Sequence, residues 1–447
     1  MTYIPHSEKN ISEMLEVIGV KSISKLFSQV PEEFHKDGKL KLPAKLAPFE
    51  LERLIDSISK ENKLPSRGKN FLGAGLYNHW VPSVVDEITS RQEYYTAYTP
   101  YQPEISQGTL TTIFEYQTMM ARLTGLPISN ASLYDGATGV AEAAMLSVRS
   151  SRKNSVLVSK TVHPEYRKVL KTYMQHLNVK VIEFAYNNIG EIDTIDLEKK
   201  IDEHKDDLAS VIVGSPNFFG IIEDIANIKS MIKNPQVLLI ASLSEPMSLA
   251  LVNPPGKCGA DIVVGEALSF GNYINFGGPT LGFITVKENL LRNLPGRVCG
   301  ETVDKDGRRA FVFTLSTREQ HIRREKATSN ICSNQNLLAM RATIYLSYMG
   351  EKGLKNTAII CNERASYAKK KFEAQKNISL KFSAPFFNEF VIEVPDSKAF
   401  LEALQKKGIQ GGLDLHRFYP ELKNNILVSY TELNSIEDID LYFNSIS

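Results

Sequence analysis

The residue types best suited to chemistry fall in four stretches of the chain. Between positions 94 and 107 stand four tyrosines, Tyr94, Tyr95, Tyr98 and Tyr101, together with Gln102, Glu104 and Gln107. So many phenol, amide and carboxyl groups make a poor core strand, because each needs a partner once water is removed. Pro100 and Pro103 bias the segment toward extended backbone. Two readings of it stand. The every-third spacing of Tyr95, Tyr98 and Tyr101 suits surface packing against a helix, whereas the polar-aromatic mixture suits a wall around a small zwitterion. In the second stretch, Tyr134-Asp135-Gly136-Ala137-Thr138-Gly139 leads into the alanine-rich run Val140-Ala141-Glu142-Ala143-Ala144. A strand end that turns into a helix start presents free N–H groups and the positive end of the helix dipole, which can hold a phosphate. The alternative is that Thr138 caps a packed helix.

The third stretch is Asn275-Phe276-Gly277-Gly278-Pro279-Thr280-Leu281-Gly282-Phe283. Its glycines let backbone approach a ligand closely, and the Thr280 hydroxyl can donate a hydrogen bond. It also reads as a glycine-rich turn before an ordinary strand. The fourth stretch, residues 317–332, carries Arg318, Arg323, Arg324, Thr328 and Ser329 around His321. Its composition predicts a charged helix running into a Thr-Ser-Asn turn. That helix is either a solvated face with internal ion pairs or a guanidinium site for a carboxylate, a phosphate or an acidic protein. His321 reads as a hydrogen-bonded structural histidine. Neither metal-ligand spacing nor a Gly-x-Ser-x-Gly nucleophile elbow occurs in the sequence. The four cysteines, Cys258, Cys299, Cys332 and Cys361, form no CxxC pair, a usage that suits a reducing cytoplasm. Cys332 reads as a buried small hydrophobe, with a reactive thiol as the alternative.

The elements that must position these stretches are legible in outline. At 447 residues the chain has room for two domains and a terminal arm. Charged residues make up 23% and the net charge is +1, which gives no reason to expect a nucleic-acid or anionic-membrane partner. The first ten residues lack the pattern of a signal peptide, and the longest apolar run, 237–243, is far too short to span a bilayer. Residues 1–60 read as a helical arm, with Ile11, Met14, Leu15, Ile18 and Leu51, Leu54, Ile55, Ile58 at helical spacing. From about residue 130, short β-prone runs (155–159, 179–184, 211–214, 237–243, 261–264) alternate with helical ones (164–177, 225–233). This predicts an α/β fold with an open, mostly parallel, doubly wound sheet over residues 61–330. Residues 331–447 are expected to hold a connecting helix near 334–349 and a smaller α+β domain. Its strands are expected at 388–394 and 425–430, around a helix at 398–407.

This layout resembles the large domain of fold-type I pyridoxal-phosphate enzymes. There the phosphate sits at a helix start like that at 136–139, an Asp at a later strand end pairs with the pyridinium nitrogen, and a Lys after the next strand forms the Schiff base. Neither carrier stands at its place here. The run 237–243 exits through Ser242-Leu243-Ser244-Glu245 with no Asp, although Glu245 is a conceivable substitute, and Gly265-Glu266-Ala267-Leu268-Ser269-Phe270-Gly271 contains no Lys. The nearest lysines, Lys257 and Lys287, are expected at the opposite end of the sheet.

Over essentially its whole length the chain also resembles the alpha subunit of the two-chain glycine cleavage P-protein. The matches, in order, are Asn70-Phe71-Leu72-Gly73-Ala74-Gly75-Leu76-Tyr77-Asn78-His79, the tyrosine segment 94–108, the segment Phe276-Gly277-Gly278-Pro279-Thr280-Leu281-Gly282-Phe283, and residues 317–332. The resemblance implies that pyridoxal phosphate is carried by a partner beta subunit and that this chain has no catalytic lysine of its own. It implies glycine decarboxylation, transfer of the aminomethyl group to the lipoyl arm of H-protein, and a cytoplasmic alpha-2 beta-2 heterotetramer. It places Tyr94, Tyr95, Tyr98, Gln102, Glu104 and Gln107 in a substrate-pocket wall, with Gly278 and Thr280 near the partner's cofactor phosphate. Arg318, Arg323, Arg324, Thr328 and Ser329 become an anion or H-protein contact. Two rival readings remain: a self-sufficient pyridoxal-phosphate enzyme with an unrecognised lysine, and a non-catalytic scaffold or regulatory partner.

Overall fold

The computed structural model describes residues 6–35, 42–62, 64–65 and 68–446. The chain divides near residue 63 into an N-terminal unit and a main unit. In the N-terminal unit, the helix Glu8–Ile18 begins with a reciprocal capping box. Asn10 donates its backbone N–H to the Ser7 hydroxyl, and Ser7 N–H is accepted by the Asn10 side chain. Gly19, at φ 80°, ends it in the left-handed conformation that glycine adopts freely. A second helix, Pro48–Ser59, starts with proline in its first turn. Neither helix buries a residue within its unit: of the expected apolar stripes, Ile11 and Leu15 are half-buried and the rest are exposed.

The main unit is built on a seven-stranded sheet. Its strands are β1 (Ile128–Ser129), β2 (Ser155–Ser159), β3 (Lys180–Phe184), β4 (Leu208–Gly214), β5 (Leu238–Leu243), β6 (Ile262–Glu266) and β7 (Gly282–Val286), in the order β1-β7-β6-β5-β4-β2-β3. β3, β2, β4, β5 and β6 run parallel, and β7 pairs antiparallel with both β6 and β1. Every residue of β2, β4, β5 and β6 is buried, which is why these strands read as unbroken apolar runs. Successive side chains alternate between two cores. Val211, Val213, Leu239, Ala241 and Val263 join one core with Tyr116, Met120 and Tyr345. Ile212, Ile240, Ile262 and Val264 join the other with Val140, Leu146 and Leu170.

Three elements differ from the sequence expectation. The connecting helix runs over Asn336–Glu373, 38 residues, with one non-helical residue, Gly350 at φ 59° and ψ −176°. Glycine makes a helix appear to stop there, but Leu354, Ala358 and Cys361 beyond it still pack into the first core. An unanticipated helix spans Gln107–Thr124. Its threonines weaken the helical signal, yet Thr111, Thr112, Thr118 and Thr124 each return their hydroxyl to the carbonyl four residues back. A hairpin of β8 (Val298–Val303) and β9 (Arg309–Thr314) forms a separate two-stranded sheet.

The smaller C-terminal domain has an antiparallel sheet of β10 (Ser379–Leu380), β11 (Glu389–Glu393), β12 (Leu413–Asp414) and β13 (Asn425–Ser429), in the order β10-β11-β13-β12. Helices Ser397–Lys406 and Ile436–Ile446 flank it, over a core of Phe71, Phe372, Phe390, Tyr430 and Tyr442. Among the described residues, no helix is long and apolar enough to cross a membrane. The loop after β4 meets β11 closely. A Cβ on Gly220 (φ 84°) would lie 1.8 Å from the Glu389 carbonyl oxygen. Gly220→Ala should therefore cost about 3 kcal/mol or more in denaturant unfolding. Gly408→Ala, at φ 74° with nothing near its Cβ, should cost only about 1–2 kcal/mol. Equal losses would show that backbone conformation alone, not the close approach, decides the effect.

Candidate functional site

The four stretches singled out in the sequence meet through two hubs. Tyr134 is the first. Its hydroxyl accepts the N–H groups of Cys332 and Ser333 at 3.2 and 3.3 Å, and its carbonyl accepts the Thr280 hydroxyl at 3.2 Å. Arg297, just before β8, is the second. It donates to the Tyr101 hydroxyl at 2.7 Å, the Thr99 hydroxyl at 3.0 Å and the Cys332 carbonyl at 2.7 Å. The tyrosine segment, the helix start, the glycine loop and the charged stretch are thereby joined on one hydrogen-bonded surface.

Individual side chains divide into those that face outward and those spent within the chain. Tyr95 and Tyr98 are 66% and 78% exposed, Gln102 and Glu104 are also exposed, and Tyr94 is half-buried. Gln107 faces elsewhere. It exchanges two hydrogen bonds with the Phe311 backbone and pins the hairpin to its helix. Gly278 and Thr280 are half-buried in a loop where Asn275, Phe276, Gly277 and Gly278 all have positive φ, with Phe276 81% exposed.

The charged stretch is not the continuous helix its composition predicted. It breaks into the short turns Ser316–Arg318, Gln320–Arg323 and Arg324–Lys326, because Arg318 reaches back to the carbonyls of Leu315, Leu294 and Gly296 and Arg324 adopts φ 53°. Arg318 thus spends its guanidinium on backbone, whereas Arg323 and Arg324 are exposed. Thr328 is half-buried and donates its N–H to the Arg318 carbonyl, and the Ser329 hydroxyl goes to buried Glu142 at 2.7 Å. His321 is exposed, 3.7 Å from Glu319. Cys332 is exposed rather than buried, because only its backbone is drawn inward by Tyr134 and Arg297.

The helix start at Gly136 already holds an anion-forming group of its own chain. Asp135, not Thr138, is the cap, accepting the Thr138 N–H at 2.6 Å and the Thr138 hydroxyl at 3.0 Å. The Gly136 N–H donates to Glu266, whose carboxyl also accepts the N–H groups of Leu268 and Leu281 at 3.1 and 2.7 Å. Burial pushes the Glu266 carboxyl up to about 7, against the lowering effect of those N–H groups. Tyr166 closes the remaining space, since a Cβ on Gly136 would lie 2.4 Å from its hydroxyl. Lys287 pairs with Asp261, which precedes β6, at the end of that strand opposite Glu266. Glu245, the conceivable substitute for the missing Asp, is committed to His79, Met247 and Ser269. The residues present do not fit a pyridoxal phosphate bound by this chain.

His163 was missed from the sequence, although a histidine leaving a strand and followed by Pro164 was the available signal. Its ring stacks on Tyr166 at 4.6 Å, donates from Nε2 to the Ala74 carbonyl and accepts the Glu165 N–H at Nδ1. Burial pushes it down to about 4, so the ring is neutral. It lines a cavity of about 270 Å³ with Leu72, Gly73, Phe218, Ile274 and Gly277.

Comparison with known proteins agrees with this fold. Residues 1–446 match the family described as glycine cleavage system P-protein. The chain belongs to the glycine cleavage P-protein family. It is 46% identical over 441 residues to a probable glycine dehydrogenase (decarboxylating) subunit 1 of Desulfitobacterium hafniense, covering 98% of each chain. It is 46% identical over 443 residues to a protein of the same name from Bacillus cereus, covering 99% of this chain and 98% of the other. A crystal structure of a glycine decarboxylase (P-protein) in inhibitor-bound form superimposes with a TM-score of 0.87 at 38% identity, covering 100% of this chain and 99% of that one. A sphingosine-1-phosphate lyase from Burkholderia pseudomallei, at 14% identity and a TM-score of 0.65 over 93% of this chain and 92% of its own, shares the fold alone.

Beside the cup, the chain buries a second polar cluster. His79 lies between Glu432, 2.7 Å from Nδ1, and Glu245, 3.0 Å from Nε2. Burial pulls its pKa down, but the charges of Glu432 and Glu245 outweigh that effect and hold the imidazole well above the usual histidine range. Cys361 Sγ is 3.3 Å from the same Glu432 oxygen. His79, Cys361 and Glu432 could in principle ligate a metal. Ligands of one tetrahedral zinc are separated by about 3.3 Å, however, so the 2.7 Å contact is a direct hydrogen bond. Nearby, Glu389 accepts the Ala74 N–H and the Tyr77 hydroxyl at 2.7 and 2.9 Å, and burial pushes it up to about 8.

The shifts of His79, Glu266 and Glu389 act in one direction on stability, and the lowered His163 opposes them, at pH values below its unfolded pKa. His79 stabilises the fold below its unfolded pKa and loses that contribution as pH rises through its raised folded value. Glu266 and Glu389, favoured as neutral acids in the fold, penalise it progressively as pH rises from about 4.5 to 8. The isolated chain should therefore melt at least about 1 °C lower near pH 8.5 than near pH 5.5, as expected for about 1 kcal/mol in a protein of 447 residues. A melting temperature that rises across this range would contradict the assignment.

Proposed function

We propose that this chain is the subunit-1 half of a glycine-decarboxylating P-protein and works only with a partner subunit that carries pyridoxal phosphate. The observation that carries the reading is the Glu266 carboxyl at the Gly136 helix start, where a cofactor phosphate would otherwise sit. With that place filled and no lysine after β6, a self-sufficient enzyme is disfavoured. The retained, outward-facing tyrosine segment argues against an inert scaffold, because a surface with no ligand gains nothing from so many polar aromatic groups.

When bound to the partner, pyridoxal phosphate supplies the electron sink for loss of the glycine carboxylate as carbon dioxide. The aminomethyl group then passes to the lipoyl arm of H-protein. This chain's share is to close the site. Tyr94, Tyr95, Tyr98, Gln102 and Glu104 form a wall that excludes water and orients the substrate carboxylate, with Gly278 and Thr280 beside the partner's phosphate. Gln107 supports that wall from behind through the hairpin. Arg323 and Arg324 are the exposed cations available to H-protein or another anion, with Arg318, Thr328 and Ser329 holding their loop. An alpha-2 beta-2 assembly in the cytoplasm is the arrangement we assign to the complex.

Co-expression with the subunit-2 partner, followed by glycine–carbonate exchange with H-protein, tests the reading. The pair should exchange label and neither subunit alone should. Borohydride reduction of this chain with pyridoxal phosphate should modify no specific lysine, and one uniquely labelled peptide would overturn the proposal. Within the assembled complex, Tyr95→Phe and Thr280→Val should each lower exchange about 10-fold or more, the loss of about 1.4 kcal/mol of transition-state stabilisation. Unchanged kinetics for both would remove the wall from the mechanism.

A further inference from the structure

Arg297 is 3% exposed, yet it touches two of the candidate stretches at once. One guanidinium nitrogen reaches Thr99, the other reaches both the Tyr101 hydroxyl and the Cys332 carbonyl, and Nε lies 3.7 Å from Glu319. Its planar face lies 5.2 Å from the Tyr101 ring centre and 5.8 Å from that of Phe313. Among the described residues, these contacts provide every hydrogen bond that ties residues 96–102 to anything outside 92–106. The other bonds of that stretch are local, such as Tyr101 N–H to Thr99 and Thr96 N–H to Gln92.

We propose that Arg297 is the positioning residue of the tyrosine wall, fixing its shape through Thr99 and Tyr101 without itself touching substrate. The inference rests on the proposed function above and extends it to a residue outside the wall. Burial keeps Arg297 away from any ligand, so its effect must pass through the groups it holds. Three donor directions in one rigid plane are needed to reach a threonine, a phenol and a carbonyl together. A lysine in the same place has one compact charge and no planar fork. The exposed residues Tyr95, Tyr98, Gln102 and Glu104 flank the two anchored positions, so loosening those anchors frees the wall on both sides. A loose wall raises the entropy lost when glycine is held, an effect expressed in binding rather than in the bond-breaking step.

The test uses the full complex with its partner subunit and H-protein. Arg297→Lys and Arg297→Met should raise the KM for glycine about 10-fold or more while kcat falls less than about 3-fold. Tyr101→Phe, which keeps the ring and removes the hydroxyl, should raise KM by a smaller factor. Combined with Arg297→Met it should add nothing further, because the two changes remove the same link. A purely structural role would instead lower the yield or melting temperature of the complex and leave the KM of what assembles unchanged. Should Arg297→Met fail to assemble, Arg297→Lys and Tyr101→Phe still decide the matter. An unchanged glycine KM in both overturns the proposal. If Tyr95→Phe and Thr280→Val lower exchange while the Arg297 variants do not, the positioning role alone falls. If all four are silent, the closing role of this chain falls with it.

Discussion

Shut away from water, the His79 imidazole holds three parts of the main unit in register. Glu245 leaves strand β5 of the large sheet, Glu432 follows the last strand of the small domain, and Cys361 comes from the long helix between them. His79 itself belongs to the run of chain that enters the main unit, and its neighbours Ala74 and Tyr77 are tied to Glu389 of the small domain. Removing one partner of a buried charged pair costs on the order of 3–5 kcal/mol, because the other is left unpaired. Removing the imidazole would strand two carboxylates together. The relative placement of sheet, small domain and entry segment therefore depends on a protonated histidine that apolar packing could not replace without losing direction.

A second buried carboxyl satisfies the helix start at Gly136 from within the chain. A helix start in a sheet's ligand-binding edge presents N–H groups that must be satisfied by something. Glu266 satisfies Gly136, Leu268 and Leu281 together, Asp135 takes Thr138, and Tyr166 fills the volume beside them. The polar demands of the cup are met from within the chain. The surface that remains open lies elsewhere, on the tyrosine segment and the glycine loop.

Much of this was legible in the sequence. The buried parallel strands announced themselves as apolar runs. Two of the small domain's strands, β11 and β13, and its helix at Ser397–Lys406 fell within a residue of expectation, whereas β10 and β12 were not anticipated. What could not be read was long-range pairing. Nothing in the local sequence says that Arg297 reaches Tyr101, or that Arg318 is consumed by Leu294 and Gly296 rather than offered to a ligand. The threonine-laden helix Gln107–Thr124 hid because its hydroxyls bond back onto their own helix. Glu266 was seen only as the residue standing where a lysine was absent. Its role appeared once Gly136 was found 130 positions earlier in sequence and one hydrogen bond away in space.

The filled cup also resists conversion into a phosphate site. Restoring a lysine after β6 would place an amine beside a helix start that Glu266 and Tyr166 already occupy, so no phosphate could hold the aldehyde it needs. Removing Glu266 first would leave three N–H groups bare in the interior and weaken the fold before any benefit arrived. Each single step back is therefore worse than the present state. The residue that satisfies the helix start thus also holds the cup in its present form.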